Sequence, residues 1–288
     1  MANFKLYYSL VKPGIVYGNA LTAAAGFFLA SAGSFQLPLF IAMIVGLSLI
    51  VASACVFNNY IDRDIDGKME RTKDRALALG HIPVSHALVC GLVLGVAGVL
   101  ILLLYTNLLT LAVALFGFVV YVCVYSFAKR STVYATHIGA LAGAVPPIVG
   151  YTAIHNSLDT GAIVLFLILL LWQMPHFFSI AIYREGEYRA AQIPVRPIHT
   201  GILKTKMIIA LYCAAFIFAV ITPSLIGFTG YVYATVLFPL SLAWFVLAIA
   251  GFWATNDTGW ARRMFLFSLV VIVVFSLMLI LNGLVQLP

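Results

Sequence analysis

Asn58, Asp62 and Asp66 recur every four residues at the polar end of a long apolar run. If the helix of that run continues through them, successive members turn by only ~40° and all three line one stripe about 12 Å long. Three oxygen-bearing side chains on one stripe, at the edge of an apolar segment, make a site for a hard cation. Mg²⁺ typically takes one or two carboxylates and leaves its other positions to water and substrate phosphates. An amide among the carboxylates keeps an oxygen ligand while lowering their repulsion. A solvated helix end neutralised by Arg63 and Lys68 fits the periodicity equally well. The next stretch of chain bears on the choice, because Lys68, Arg71, Lys73 and Arg75 come within ten residues of Asp66. Acidic ligands beside a basic cluster suit a diphosphate bridged by Mg²⁺, its remaining oxygens held by Arg and Lys. Anchoring to anionic lipid explains the cations but not the acidic stripe next to them.

Other polar groups are more ambiguous. Lys129-Arg130 reads as a second anion clamp or as a plain topology anchor. A second acidic loop opens Tyr183-Arg184-Glu185-Gly186-Glu187-Tyr188. His176 lies in Trp172-Gln173-Met174-Pro175-His176 within an apolar segment. Polar groups at membrane depth invite functional readings, although a lone His is more often a hydrogen-bonded packing residue. His137 and His155 have no partner in sequence and read as packing residues. Cys55, Cys90, Cys123 and Cys213 each sit in an apolar run with no C-x-x-C pair, which indicates neither disulfides nor a metal site. No H-E-x-x-H, G-x-S-x-G or Walker loop points to other chemistry.

The elements that carry these residues are set by composition. Of 288 residues, 64% are hydrophobic and 9% charged, against about 25% charged in soluble chains. That excludes a water-soluble globule, and the hydropathy excludes disorder. Long uninterrupted apolar runs such as Leu37–Phe57 and Leu266–Leu281 exclude the alternating strands of a transmembrane barrel. The expected fold is an all-α, polytopic membrane bundle forming a single domain over residues 1–288. Polar breaks predict nine spans near 14–32, 38–61, 85–104, 108–128, 133–153, 161–182, 205–226, 230–252 and 264–285. Pro146-Pro147 should kink the fifth. All 16 Lys and Arg then fall before the first span or after the even-numbered ones. The positive-inside rule therefore predicts a cytoplasmic N-terminus and an outside C-terminus. Lys5, Lys12 and Ala30-Ser31-Ala32 imitate a cleavable signal peptide, but the apolar stretch is long and holds Asn19 and Thr22, so it reads as a retained span. Two cytoplasmic loops, about 62–84 and 183–204, are long for a bundle. They come after the second and sixth helices, a hint of two similar four-helix units.

Asn58-x-x-x-Asp62-x-x-x-Asp66 followed by Arg71-Thr72 and Arg75 resembles the first aspartate motif of the UbiA-type intramembrane prenyltransferase superfamily. Lys12-Pro13-Gly14-Ile15, Asn58–Asp66, Tyr125–Lys129-Arg130, Pro146-Pro147-Ile148-Val149-Gly150, Trp172–His176 and Ile193-Pro194-Val195 carry the likeness further, the last two towards the haem-modifying branch. The resemblance implies a nine-helix enzyme that uses Mg²⁺ to transfer a farnesyl group from farnesyl diphosphate to a vinyl group of haem B, with addition of water. It implies Asn58, Asp62, Asp66 and Glu187 as metal ligands, and Asp62, Asp66, Arg71 and Arg75 as catalytic. Lys68, Arg71, Arg75, Lys129 and Arg130 would hold the diphosphate, Tyr121 and Tyr125 would face the allylic cation, and His176 would contact haem. It further implies a bacterial inner membrane, no nucleic-acid partner, and association with a haem A synthase or a terminal oxidase. The chain departs from the pattern in having Glu185 and Glu187 where many members carry a second aspartate pair. Two other functions fit parts of the sequence: a quinone-type prenyltransferase on the same scaffold, and a secondary transporter for an anionic solute. Against the transporter, no Asp, Glu, Lys or Arg sits at mid-span.

Overall fold

The computed structural model describes residues 2–285, with side chains from residue 5 on. Among them nine helical stretches are long and apolar enough to cross a membrane. A short α1 (Ala2–Leu10) leads into the first span, α2 (Pro13–Ser31). The second and third spans are α3 (Leu37–Asp66) and α4 (Val84–Tyr105). The fourth comprises α5 (Leu108–Val119), a π-helical turn (Val120–Tyr125) and α6 (Ser126–Ala128). The fifth is broken into α7 (Ala135–Gly143) and α8 (Val145–His155), and the sixth is α9 (Thr160–Tyr183). Short α10 (Glu185–Ala190) and α11 (Arg196–Thr200) precede α12 (Ile202–Leu225), α13 (Tyr231–Ala250) and α14 (Asp257–Val285).

The predicted break falls at the paired prolines, which occupy the first turn of α8. There a missing N–H leaves no hydrogen bond unmade. Three boundaries differ from the hydropathic ones. α3 runs on to Asp66 rather than stopping near 61, so the whole Asn58–Asp62–Asp66 stripe is helical. α14 begins at Asp257 and takes Arg262 and Arg263 into its first turns. The fourth span widens into a π turn that apolar patterning does not register.

Packing closes the bundle by setting α14 against both α2 and α9, while α3 lies along α4 and α12 along α9 and α13. Small residues allow the closest of these approaches. At the α2–α8 crossing a Cβ on Gly26 would strike the Pro147 carbonyl, and one on Gly150 the Ala23 carbonyl. One apolar core forms around α2, α3, α5 and α8, and a larger one around α9, α12, α13 and α14. Leu92, Val93, Val96, Leu100 and Leu104 stay exposed along α4, a ridge suited to lipid rather than water. The two long loops pack on one another, with Ile65 and Met69 meeting Ala191 and Ile193.

Candidate active site

The stripe on α3 is buried: Asn58, Asp62 and Asp66 are each less than 5% exposed. A buried carboxylate requires compensation, and each finds it in a different element. Lys129, just past α6, pairs with Asp62 Oδ2. Arg75, in the loop after α3, donates through Nη1 to both oxygens of Asp66, at 2.9 and 2.7 Å. Lys12 donates to Asn58 Oδ1 at 2.6 Å, and Asn58 Nδ2 donates to Ser126 Oγ at 2.9 Å. Thr72 Oγ1 donates to the Asp66 carbonyl at 2.9 Å, tying the loop back onto the helix. One acceptor is left over, since Asp62 Oδ1 is buried with no hydrogen-bond partner.

Burial governs the flanking lysines. It pushes Lys12 down to about 8, with the nearby Arg75 charge adding to the effect. Burial also lowers Lys129, although Asp62 pulls the other way. The stripe thus lies among cations whose charge is held at a desolvation cost, a setting that favours an incoming anion. The π turn brings aromatic faces to the same place. Tyr121 and Tyr125 stack at 5.5 Å, Tyr121 donates to Asn58 Oδ1 at 3.4 Å, and Lys129 Nζ lies 5.6 Å from the Tyr125 ring centre. π turns inside α-helices recur at functional sites because they shift side chains out of register.

The remaining predicted residues divide into two groups. Arg71 is exposed, and with Asn59, Asp74 and Arg75 it lines a cavity of about 190 Å³ against the end of α1, which none of the three stripe residues lines. Arg130 forks onto Asp64, at 2.8 and 2.7 Å, rather than onto the stripe. Lys68 is exposed and forms no ion pair among the described residues. Glu187 pairs with Arg184 and accepts from the Arg71 amide at 3.4 Å, so it joins the two loops. It does not complete a three-carboxylate set with Asp62 and Asp66, as no group of three such ligands gathers among the described residues. His176 lies away from the stripe, its Nδ1 2.7 Å from Ser268 Oγ and its ring 4.8 Å from that of Trp172.

Sequence reasoning places Lys12 among the topology charges and in the Lys12-Pro13-Gly14-Ile15 likeness, and gives it no role in the site. The structure turns it into the site by giving it left-handed backbone (φ 50°, ψ 67°) immediately before Pro13. A non-glycine residue there is uncommon, and extended backbone is the expectation before a proline, so the sequence does not announce this turn. Ser126, the partner of Asn58, carries no signal of its own.

Two carboxylates, one amide and an unused buried carboxylate oxygen form a donor set that fits one Mg²⁺, with positions left for water and phosphate oxygens. The neighbouring Arg and Lys side chains can hold the phosphates, and the stacked tyrosines can face a cation left beside them.

The model of the UbiA prenyltransferase family matches residues 19–270. Protoheme IX farnesyltransferase from Yersinia pseudotuberculosis serotype O:1b (strain IP 31758) is 49% identical over 276 residues, covering 96% of this chain and 94% of that protein. Among solved structures, one of digeranylgeranylglyceryl phosphate synthase superposes with a TM-score of 0.80 at 16% identity over 100% of both chains. A UbiA homolog from Archaeoglobus fulgidus bound to GPP and Mg²⁺ gives 0.64 at 15% identity, covering 96% of this chain and 99% of that one. These two likenesses concern the fold, while the family match and the half-identical relative reach to the sequence itself. The chain belongs to the UbiA prenyltransferase family.

Proposed function

We propose that this chain transfers a farnesyl group from farnesyl diphosphate to a vinyl group of haem B, with addition of water, and that it needs Mg²⁺ to do so. The donor half rests on one observation: a buried Asn-Asp-Asp stripe with a free carboxylate oxygen, ringed by Lys12, Arg75 and Lys129. The acceptor half is supported by the protoheme IX farnesyltransferase of half-identical sequence, and the metal by the homolog bound to GPP and Mg²⁺.

In this reading Asn58, Asp62 and Asp66 hold Mg²⁺, which when bound supplies Lewis acidity towards the diphosphate. With Asp62 and Asp66 engaged as ligands, Arg75 and Lys129 would be free to turn from their carboxylates to the phosphate oxygens. Arg71 and Lys12 reach the same group from the loop and from the start of α2. Lys68 and Arg130 serve it from further out, drawing the anion in. These fixed cations stabilise the charge that grows as the C–O bond breaks. The farnesyl cation lies against Tyr121 and Tyr125. The outer carbon of the vinyl group bonds to it, and water adds to the resulting cation with loss of a proton. Surrounding helices keep water from the first cation until the vinyl group has reacted. Glu187 braces the second loop against the first and is the residue nearest to a further metal ligand there. His176, with Nδ1 engaged by Ser268, would contact the acceptor through its other ring nitrogen. The site faces the cytoplasm of a bacterial inner membrane, and the chain works as one domain. Membership in a transferase family disfavours the transporter, and the acceptor separates this reading from the quinone type.

Mass spectrometry of haem extracted after incubating the purified protein with haem B, farnesyl diphosphate and Mg²⁺ tests the proposal. A mass gain of one farnesyl plus one hydroxyl group, lost in Asp62→Asn, is expected. Diphosphate release without a haem product would redirect the acceptor towards quinone precursors.

A further inference from the structure

Three arginines are withdrawn from the exposed surface: Arg75, Arg184 and Arg196. Arg75 pairs with Asp66 and Arg184 with Glu187. Arg196 pairs with no carboxylate among the described residues, and its Nε is buried without a hydrogen-bond partner. A second orphan lies close by, since His137 Nδ1 is also buried and unpartnered. Both groups meet at Phe178: the Arg196 guanidinium carbon is 5.9 Å from the ring centre, and the His137 ring is 5.8 Å away. Tyr134 and Tyr212 complete the aromatic wall, 6.0 and 6.5 Å from His137. A buried donor without an acceptor is costly and uncommon in folded proteins. An unpartnered guanidinium N–H beside an unpartnered imidazole nitrogen, over one apolar wall, describes a seat for an anion carried on an aromatic body.

The seat adjoins the diphosphate site. Val195, next to Arg196 in the chain, packs with Ile65 and Met69 on either side of Asp66. On α7, Gly139 faces the Tyr125 ring so closely that a Cβ there would lie 2.9 Å from it, while His137, two residues earlier and so ~200° round the helix, faces Phe178 and Tyr212. An acceptor held at Arg196 would lie across α7 from the tyrosines that line the cation's position.

We propose that Arg196, assisted by His137, binds a carboxylate of the acceptor and so fixes its orientation. This rests on the acceptor being haem B, whose two propionates supply the carboxylates. A guanidinium edge meets a carboxylate through two parallel hydrogen bonds, and Lys cannot reproduce that geometry.

The test compares equilibrium binding of haem B and its dimethyl ester, in which both propionates are masked, to the full-length protein in detergent. Wild type should favour haem B by about tenfold, corresponding to ~1.4 kcal/mol. Arg196→Gln should lose that preference while binding the ester as wild type does, Arg196→Lys should keep only part of it, and His137→Phe should reduce it less. The ester comparison on wild type needs no variant, so misfolding cannot mimic it. Equal wild-type affinity for the two ligands, or an equal loss of both in Arg196→Gln, would overturn the seat. Farnesylated haem B formed without any preference over the ester removes the seat and spares the reaction. Preference without farnesylation does the reverse, and no haem binding at all removes both.

Discussion

Asp62 is the residue on which most depends, because one of its oxygens faces Lys129 and the other faces nothing. Asp62→Asn should lower prenyl transfer by about 10²-fold or more, the loss seen when one preorganised charge is removed at a reacting centre. It should also destabilise the fold, since Lys129 is left buried and unpaired, an effect of about 3–5 kcal/mol for a broken buried pair. Asp62→Asn combined with Lys129→Met removes both charges and should recover much of that stability without recovering activity. Thermal unfolding in detergent together with diphosphate release would separate the two effects. An active double variant would mean that Asp62 is only a structural partner. Glu187 poses a related choice. As a clasp between Arg184 and the Arg71 amide, it should leave the Mg²⁺ dependence of Glu187→Gln unchanged while raising KM for farnesyl diphosphate about threefold. As a ligand, it should instead shift the Mg²⁺ requirement by about tenfold or more.

At the scale of elements, close helix contacts hold the site together. Gly150 on α8 packs against the backbone of α2, and Lys12 immediately precedes α2. Gly150→Ala must push these helices apart, because the obstacle is the Ala23 carbonyl and not a movable side chain. The expected cost is about 1–3 kcal/mol, read as a lower Tm, with a further loss of farnesyl diphosphate affinity as Lys12 shifts from Asn58. An unchanged Tm would show that α2 and α8 slide freely. Element existence is legible in the sequence, because hydropathy and proline placement act locally; the spans and the break at Pro146-Pro147 come from them, and the stripe on α3 from its four-residue spacing, since hydropathy alone ends that helix near 61. The π turn is not legible, since one extra residue per turn leaves an apolar stretch just as apolar. Nor can spacing place Lys12, Ser126 or Arg196, whose roles depend on what tertiary packing leaves unpaired. Conversely, Arg130 and Lys68 look alike in sequence to the site's own cations, but the first turns to Asp64 and the second to the surface.

For the whole molecule, the arrangement of charge sets the direction in which the bundle sits. Asp62, Asp66, Arg75 and Lys129 meet at one end of the bundle, where the second and fourth spans finish, and Lys206 pairs with Asp257 at 2.5 Å where the seventh and ninth begin. At the other end the connection 156–159 carries Asp159 alone, engaged in capping α9 through Gly161 and Ala162. Cations are retained on the cytoplasmic side during insertion, so the end holding the site should face the cytoplasm and the 156–159 connection the outside. Leu158 is 56% exposed in that connection, and Gly186 is exposed in the opposite loop with open space around it. The four native cysteines all fall within the spans, out of reach of a membrane-impermeant thiol reagent. Leu158→Cys should therefore be labelled in intact cells, and Gly186→Cys only after the membrane is opened. The reverse pattern would put the diphosphate site outside, away from a cytoplasmic supply of farnesyl diphosphate, and would refute the proposed orientation together with the donor it presumes.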